Sequence, residues 1–81
     1  MTASKEFAEV QDELNRAVAK YGSFLSAHEG FAIIEEEFLE LRKEIFKKQT
    51  VRSIDKMRKE AKQLAAMATR FMVDICGGED E

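Results

Sequence analysis

Two acidic clusters, about one helix length apart, contain the residues of this chain best suited to chemistry. The first holds Glu36, Glu37 and Glu40, and the second holds Glu60 and Gln63. A spacing of three residues brings side chains together on one face of a helix. Carboxylates at the edge of an apolar core are costly to bury alone, and a hard divalent cation bound by their oxygens relieves that cost. The clusters therefore predict Mg²⁺-dependent phosphate chemistry.

The apolar pattern predicts three helices that position these clusters. The chain has no proline and only four glycines, as is typical of an all-α protein. The first helix is expected from about Ser4 to Lys20. Ser26 and Glu29 form a predicted capping box at the start of the second helix, with Glu29 reaching back to the Ser26 amide.

The second helix is expected to end near Lys47 and Lys48. The third is expected to begin after Thr50 as its N-cap and to end at Gly77 and Gly78, where glycine permits a left-handed cap. Because the connection between them would be very short, the second and third helices should lie antiparallel.

Helical geometry places the first cluster beside the core face of the second helix. At about 100° per residue, Glu37 lies roughly 70° and Glu40 roughly 130° from the stripe centre, on the same side. That centre is expected near Ile34 and Phe38. Glu36 falls nearly opposite the stripe, so geometry alone gives it the weakest place in the site.

The third helix repeats this arrangement. Its stripe is centred near Met57 and Ala68, and Glu60 and Gln63 have about the same offsets as the first pair. An antiparallel pair of helices would let these polar groups converge on one cleft. The competing explanation is a solvated face with intrahelical ion pairs, since Glu40 and Glu44 precede lysines by three or four residues.

Two segments resemble a known family. Residues 21–41 and 57–71 are similar to the MazG-like branch of the all-α nucleoside triphosphate pyrophosphohydrolases. The signature of that family is EExxE, a spacer, and then ExxD. Glu36, Glu37 and Glu40 match its first half, and Glu60 opens its second half after a spacer of suitable length. Gln63 stands where the family has its last acid.

The resemblance implies a helical bundle that dimerises or tetramerises, binds Mg²⁺ (or Mn²⁺), and splits a nucleoside triphosphate into the monophosphate and pyrophosphate. It makes Glu37, Glu40 and Glu60 metal ligands, with Gln63 in the fourth position and Glu36 as a supporting acid. Because glutamine is neutral, Mg²⁺ affinity should fall. Glu44, on the same side of the second helix, is a candidate compensating acid.

Composition sets the remaining expectations. Eighty-one residues, 44% of them hydrophobic, predict one domain over 1–81 with a frayed acidic tail at 77–81. The expected architecture is a short helix and a long antiparallel pair that assemble into an oligomeric four-helix-bundle-type core. A net charge of −3 without a basic stripe argues against nucleic acid.

Localisation follows from what the sequence lacks. No apolar run approaches the roughly 18 residues of a membrane span, and the first residues lack a signal-peptide pattern. The lone Cys76 cannot form an internal disulfide, which fits a reducing cytoplasm.

The roles of several other residues, and a second possible function, are not decided by the sequence. Arg70 and its neighbouring cations on the third helix are interpreted as a solvated face that could instead meet phosphates. Tyr21, Phe24 and Phe31 could stack on a base, although packing is favoured for the two phenylalanines. The alternative function is a non-catalytic oligomeric helical binding module of the same fold, which Gln63 favours.

Overall fold

The structure, a computed structural model, describes residues 2–77. These residues form three α-helices and a π-helical segment, and they contain no strand, which confirms the all-α prediction. The helices are α1 (Ser4–Tyr21), α2 (Ala27–Ile45) and α3 (Ile54–Phe71), and the π-helical segment is Met72–Cys76. Of the predicted tail at 77–81, only Gly77 lies within the described residues.

The start of α2 follows the predicted capping box with one difference. The Glu29 amide donates to the Ser26 hydroxyl oxygen over 3.1 Å, as expected. The Glu29 carboxylate, however, accepts from the Leu25 amide over 2.6 Å and not from the Ser26 amide. Both bonds fix the entry of the chain into α2, and the helix then ends at Ile45, before the predicted lysines.

The start of α3 differs from the prediction. Its N-cap is Ser53, whose hydroxyl oxygen accepts from the Lys56 amide over 3.2 Å, and not Thr50. The connection therefore runs from Phe46 to Ser53 and is longer than expected. A turn in which the Val51 amide donates to the Lys48 carbonyl uses the residues around Thr50, so the helix cannot begin there.

The predicted left-handed cap at the end of α3 is not formed at Gly77. The backbone widens into the π-helical segment after Phe71, and Gly77 keeps a right-handed φ of −78°. Gly78, the other predicted cap residue, lies outside the described residues.

The helices α2 and α3 are antiparallel, as predicted. Near one end of the pair, a Cβ added to Gly30 would lie 2.7 Å from the Phe71 ring, so only glycine lets α2 approach so closely. Near the other end, Ile45 and Ile54 line one apolar groove. The helices therefore run alongside each other over most of their length, which brings the middle of α2 opposite the middle of α3.

The first helix packs against α3 in parallel. Arg58 on α3 donates to Glu6 and Glu9 near the start of α1, over 3.2 and 2.9 Å. At the other end of α1, Arg70 donates to the Gly22 carbonyl oxygen over 2.6 Å. The helix α3 therefore contacts both of the others along its length.

The buried faces are rotated from the predicted stripes. On α2, Phe31 and Phe38 are 60% and 54% exposed, whereas Glu37 is half-buried on the inner face with Ile33. On α3, Ala68 is exposed and the buried residues are Ala66, Met67 and Arg70. The rotation arises because α3 packs against α1 as well as α2, which selects a face that apolar periodicity alone does not identify.

The resulting core is small. Within residues 2–77 it consists of five buried hydrophobic residues, and none of the large ones is fully enclosed. They come from α1, from α3 and from the loop between α1 and α2: Leu14, Ala17, Phe24, Ala66 and Met67.

Candidate functional site

An acidic groove lies between the facing middles of α2 and α3. Its volume is about 540 Å³. It is lined by seven residues, Glu36, Glu37, Leu39, Glu40, Lys43, Glu60 and Gln63. All five residues of the two clusters therefore line one groove, and the helical spacing predicts this for all of them except Glu36.

The electrostatics of the groove centre on Glu37. Partial burial raises the pKa of this carboxyl, and the charges of Glu60, Glu36 and Glu40 raise it further. The charge of Glu13, on α1, acts in the same direction. Glu37 is thus a carboxylate held against other carboxylates, an arrangement that a bound cation would relieve.

Glu36 lies closer to the groove than its position on the helical wheel predicts. Because the inner face of α2 is centred near Glu37, the adjacent Glu36 lies at the rim of the groove, although its side chain is exposed. The prediction that it lies opposite the core face is therefore wrong. Its exposure leaves its carboxylate accessible to solvent and to a substrate.

Intrahelical ion pairing explains only one acid of this region. Glu44 lies 2.9 Å from the Lys47 ammonium, whose hydrogen bond lowers the Glu44 pKa. Within residues 2–77, Glu36 and Glu40 make no ion pair. Glu44 does not line the groove, so the expectation that it replaces the missing acid at position 63 is wrong.

The donors of the groove suit a hard divalent cation. Carboxylate and amide carbonyl oxygens are ligands that Mg²⁺ accepts, and Glu37 has the raised pKa of an acid whose charge is not offset. In residues 2–77, no three His, Cys, Asp or Glu side chains already converge closely enough to hold a metal ion. The residue types therefore suit the ion, whereas the side chains as they are placed in residues 2–77 do not form a coordination site.

A second cavity, which we call the α1–α2 cavity, opens beside the groove and has a volume of about 500 Å³. It shares Glu36, Glu37 and Gln63 with the groove, so the two spaces are adjoining. Its other wall includes Glu13 and Arg16 of α1, which the acidic motif did not indicate. Only the i, i+3 spacing of an acid and an arginine on α1 signals this pair in the sequence.

A buried arginine fixes the loop that closes this cavity. Arg70 is 5% exposed, and its guanidinium lies 4.0 Å from the centre of the Phe24 ring. It also donates to the Gly22 carbonyl oxygen and lies 3.4 Å from the Asp74 carboxylate. Asp74 in turn accepts from the Phe24 amide over 2.8 Å. The interpretation of Arg70 as a solvated cation is wrong, because it binds the loop between α1 and α2 to the end of α3.

The aromatic residues of this region divide by burial. Phe24 is buried, which confirms the predicted packing role. Phe31 is exposed, so packing within one chain does not account for it. Tyr21 is 63% exposed and lines the α1–α2 cavity.

These features define an all-α three-helix protein with an acidic groove between two antiparallel helices. No protein-family model matches the chain, and no curated protein or solved structure is significantly similar to it. Within residues 2–77, no helix is both long and apolar enough to cross a membrane. The acidic groove and the motif residues that line it are therefore the features of this chain that indicate a function.

Proposed function

We propose that this protein hydrolyses a nucleoside triphosphate to the nucleoside monophosphate and pyrophosphate, with Mg²⁺ (or Mn²⁺) as cofactor. The observation that carries the proposal is the convergence of both acidic clusters on one groove. The resemblance of residues 21–41 and 57–71 to MazG-like pyrophosphohydrolases supplies the reaction class. A cytoplasmic location is part of the proposal and accords with the free thiol of Cys76.

The groove residues take two kinds of role. Glu37, Glu40 and Glu60 would hold the ion, with the Gln63 carbonyl oxygen as a neutral fourth donor. A bound ion would neutralise negative charge on the phosphates. Glu36 is exposed at the rim, and its carboxylate would orient the attacking water as general base.

The reaction balances with these groups. The water oxygen forms a bond to the α-phosphorus while the bond from that phosphorus to the bridging α–β oxygen breaks. The electron pair of the broken bond leaves with pyrophosphate, and the water proton passes to the Glu36 carboxylate. Lys43, on the groove wall, supplies a positive charge that can meet phosphate oxygens.

The test is release of pyrophosphate and monophosphate from a panel of ribo- and deoxyribonucleoside triphosphates, with Mg²⁺, Mn²⁺ or EDTA. We expect metal-dependent release by the wild type and none by the double variant Glu40→Gln/Glu60→Gln. A matched control, Asp12→Asn/Glu35→Gln, removes two exposed acids that line neither the groove nor the cavity. It should retain activity. Equal turnover by the Glu40→Gln/Glu60→Gln variant would refute the assignment of the site.

The proposal includes self-association into a homodimer or homotetramer. The core of one chain is small, while large apolar side chains such as Phe7, Phe46 and Ile54 stay more than two-thirds exposed. Phe7 and Ile54 line one apolar groove, and a contiguous exposed apolar patch usually marks an interaction surface. A second copy would bury them and complete the four-helix-bundle-type core.

The second candidate is a non-catalytic oligomeric binding module of the same fold. Gln63 favours it, because the groove lacks the acid that would complete its charge. Thermal melting separates the two candidates. At concentrations above its Kd, a bound ion raises the melting temperature as the logarithm of the ion concentration. If the protein is the proposed enzyme, Mg²⁺ should therefore stabilise it more than ionic strength alone does. A module without a metal site should respond to ionic strength only.

A further inference from the structure

One end of the molecule carries most of its positive charge. Residues 42–59 contain eight of the thirteen lysines and arginines of the chain but only two of its sixteen acids. This segment consists of the end of α2, the connection and the start of α3, which the antiparallel packing brings together. The net charge of −3 therefore conceals an uneven distribution, with one strongly positive end.

Most of these cations are not used within the chain. Six of the eight are exposed and make no ion pair within residues 2–77. Of the six, Lys43 lines the acidic groove and Lys59 lies more than one turn into α3. The other four lie on the connection or within one turn of it. With the two exposed apolar residues of the connection they form what we call the basic end: Arg42, Phe46, Lys48, Val51, Arg52 and Lys56.

Helix dipoles account for only part of this charge. Arg42 is in the last turn of α2, where a cation is favourable, but Lys56 is in the first turn of α3, where a cation is unfavourable. Lys48 and Arg52 belong to neither helix. The charge of the basic end is therefore not explained by the folding of the helices.

Two apolar side chains lie exposed at the same end. Phe46 is 71% and Val51 is 65% exposed, and neither lines the apolar groove that is assigned to a second copy. Hydrogen bonds hold the backbone that carries them. The Val51 amide donates to the Lys48 carbonyl oxygen, and Arg52 donates to the Ile45 carbonyl oxygen over 3.3 Å. The connection thus presents apolar and cationic side chains together on one fixed turn.

From this combination we infer that the basic end docks on an anionic lipid surface. Anionic headgroups attract lysines and arginines, while exposed apolar side chains enter the boundary between the headgroups and the acyl chains. The Arg42 guanidinium lies 4.6 Å from the centre of the Phe46 ring. The ring can therefore enter this boundary while the guanidinium stays among the headgroups. The inference does not depend on the proposed reaction.

Other anionic partners fit this end less well. Single-stranded nucleic acid is bound by stacking of bases on free aromatic faces, but Arg42 covers one face of Phe46, and Val51 has no ring. An acidic peptide is usually bound in a groove or along a sheet edge. None of the six residues of the basic end lines the acidic groove, the α1–α2 cavity or the apolar groove. A flat bilayer surface needs no such cavity.

The test is co-sedimentation of the full chain with vesicles of phosphatidylcholine, with or without about one-third phosphatidylglycerol. We expect binding to the anionic vesicles only, and its loss at about 0.5 M salt, because screening weakens the attraction to the headgroups. Equal binding to both kinds of vesicle, binding to neither, or no effect of salt would overturn the inference. So would tighter binding of a fluorescent single-stranded oligonucleotide at the same salt, which would assign the basic end to nucleic acid.

Two matched pairs of variants locate the contact. Lys48→Gln should weaken vesicle binding about fivefold, the effect of one cation near an anionic surface, whereas Lys20→Gln, at the far end of α1, should change it less than about twofold. Phe46→Gln should weaken binding about tenfold, because its ring no longer inserts, whereas Leu25→Gln, at an exposed residue before α2, should not. Equal effects within either pair, in proteins of wild-type helical content, would contradict docking through the basic end.

Discussion

At Glu37, the proposed metal binding needs a negative charge that is unfavourable for folding. Burial and four neighbouring acids raise the pKa of its carboxyl, so its ionised form is less favourable in the folded chain than in the unfolded chain. Such a group opposes folding at neutral pH and is retained where its charge has a use. Its half-buried place follows from the rotated face of α2, which the apolar pattern did not reveal.

The first prediction concerns this charge. In EDTA, Glu37→Gln should leave the free energy of unfolding unchanged or raise it by at most about 0.5 kcal/mol, since the side chain is partly solvated. Adding Mg²⁺ should stabilise the wild type more than the variant. Urea unfolding at one protein concentration measures both effects.

Glu44→Gln is the matched control for that comparison. Its charge is stabilised by Lys47, which lowers the Glu44 pKa, so its removal should lower stability without changing the response to Mg²⁺. A loss of stability in Glu37→Gln in EDTA would mean that its charge is favourable and would contradict the account of the groove.

The second prediction concerns Arg70. Replacing it with methionine leaves Asp74 buried without its cation and the Gly22 carbonyl oxygen without its donor. Breaking a buried pair in this way should lower the free energy of unfolding by about 3 kcal/mol. Arg42→Met, at an exposed arginine over the Phe46 ring, should cost no more than about 1 kcal/mol. Urea unfolding with a constant m-value is the measurement.

A double-mutant cycle isolates the ion pair. Arg70→Met combined with Asp74→Asn should be less destabilising than the sum of the two single variants, because the second change removes the charge that the first leaves unpaired. Additive effects would show that Arg70 acts through its contacts with Phe24 and Gly22 and not through Asp74.

At the scale of elements, helix existence was predictable and helix boundaries were not. Apolar spacing and the Ser26 capping box are local signals, and they identified three helices and the start of α2. The start of α3 depends on which of two nearby hydroxyl residues can cap it. The turn before Ser53 decided that choice, and the sequence offered no local signal for the turn.

The third prediction tests this cap. Ser53→Ala should lower the free energy of unfolding by about 1 kcal/mol, because it leaves the Lys56 amide without its acceptor. Thr50→Ala, at the residue that sequence alone favoured, should change it by less than about 0.5 kcal/mol. A reversed order of the two effects would restore Thr50 as the cap.

At the scale of the whole molecule, the sequence identified which residues share the groove because one antiparallel pair of helices determines that contact. The parallel packing of α1 on α3 was not predicted, and so Glu13, Arg16 and the α1–α2 cavity were missed. Contacts between elements distant in sequence, such as Arg58 with Glu9, have no local signal.

The fourth prediction concerns assembly. The apolar groove near the starts of α1 and α3 includes Phe7 and Ile54, both more than two-thirds exposed. Light scattering after gel filtration should therefore give a dimer or larger species at micromolar concentration. Phe7→Lys/Ile54→Lys should shift it to the monomer, whereas Leu25→Lys, at an exposed residue outside that groove, should not. A wild-type monomer would contradict the proposal of a shared core.

A ³¹P NMR time course of a nucleoside triphosphate with the protein and Mg²⁺ tests most directly where the triphosphate is cleaved. Cleavage between the α and β phosphates should make the three phosphate signals disappear together while monophosphate and pyrophosphate signals replace them, with no reaction in EDTA. An unchanged spectrum from folded protein, or production of a diphosphate and inorganic phosphate, would contradict cleavage between the α and β phosphates by this groove.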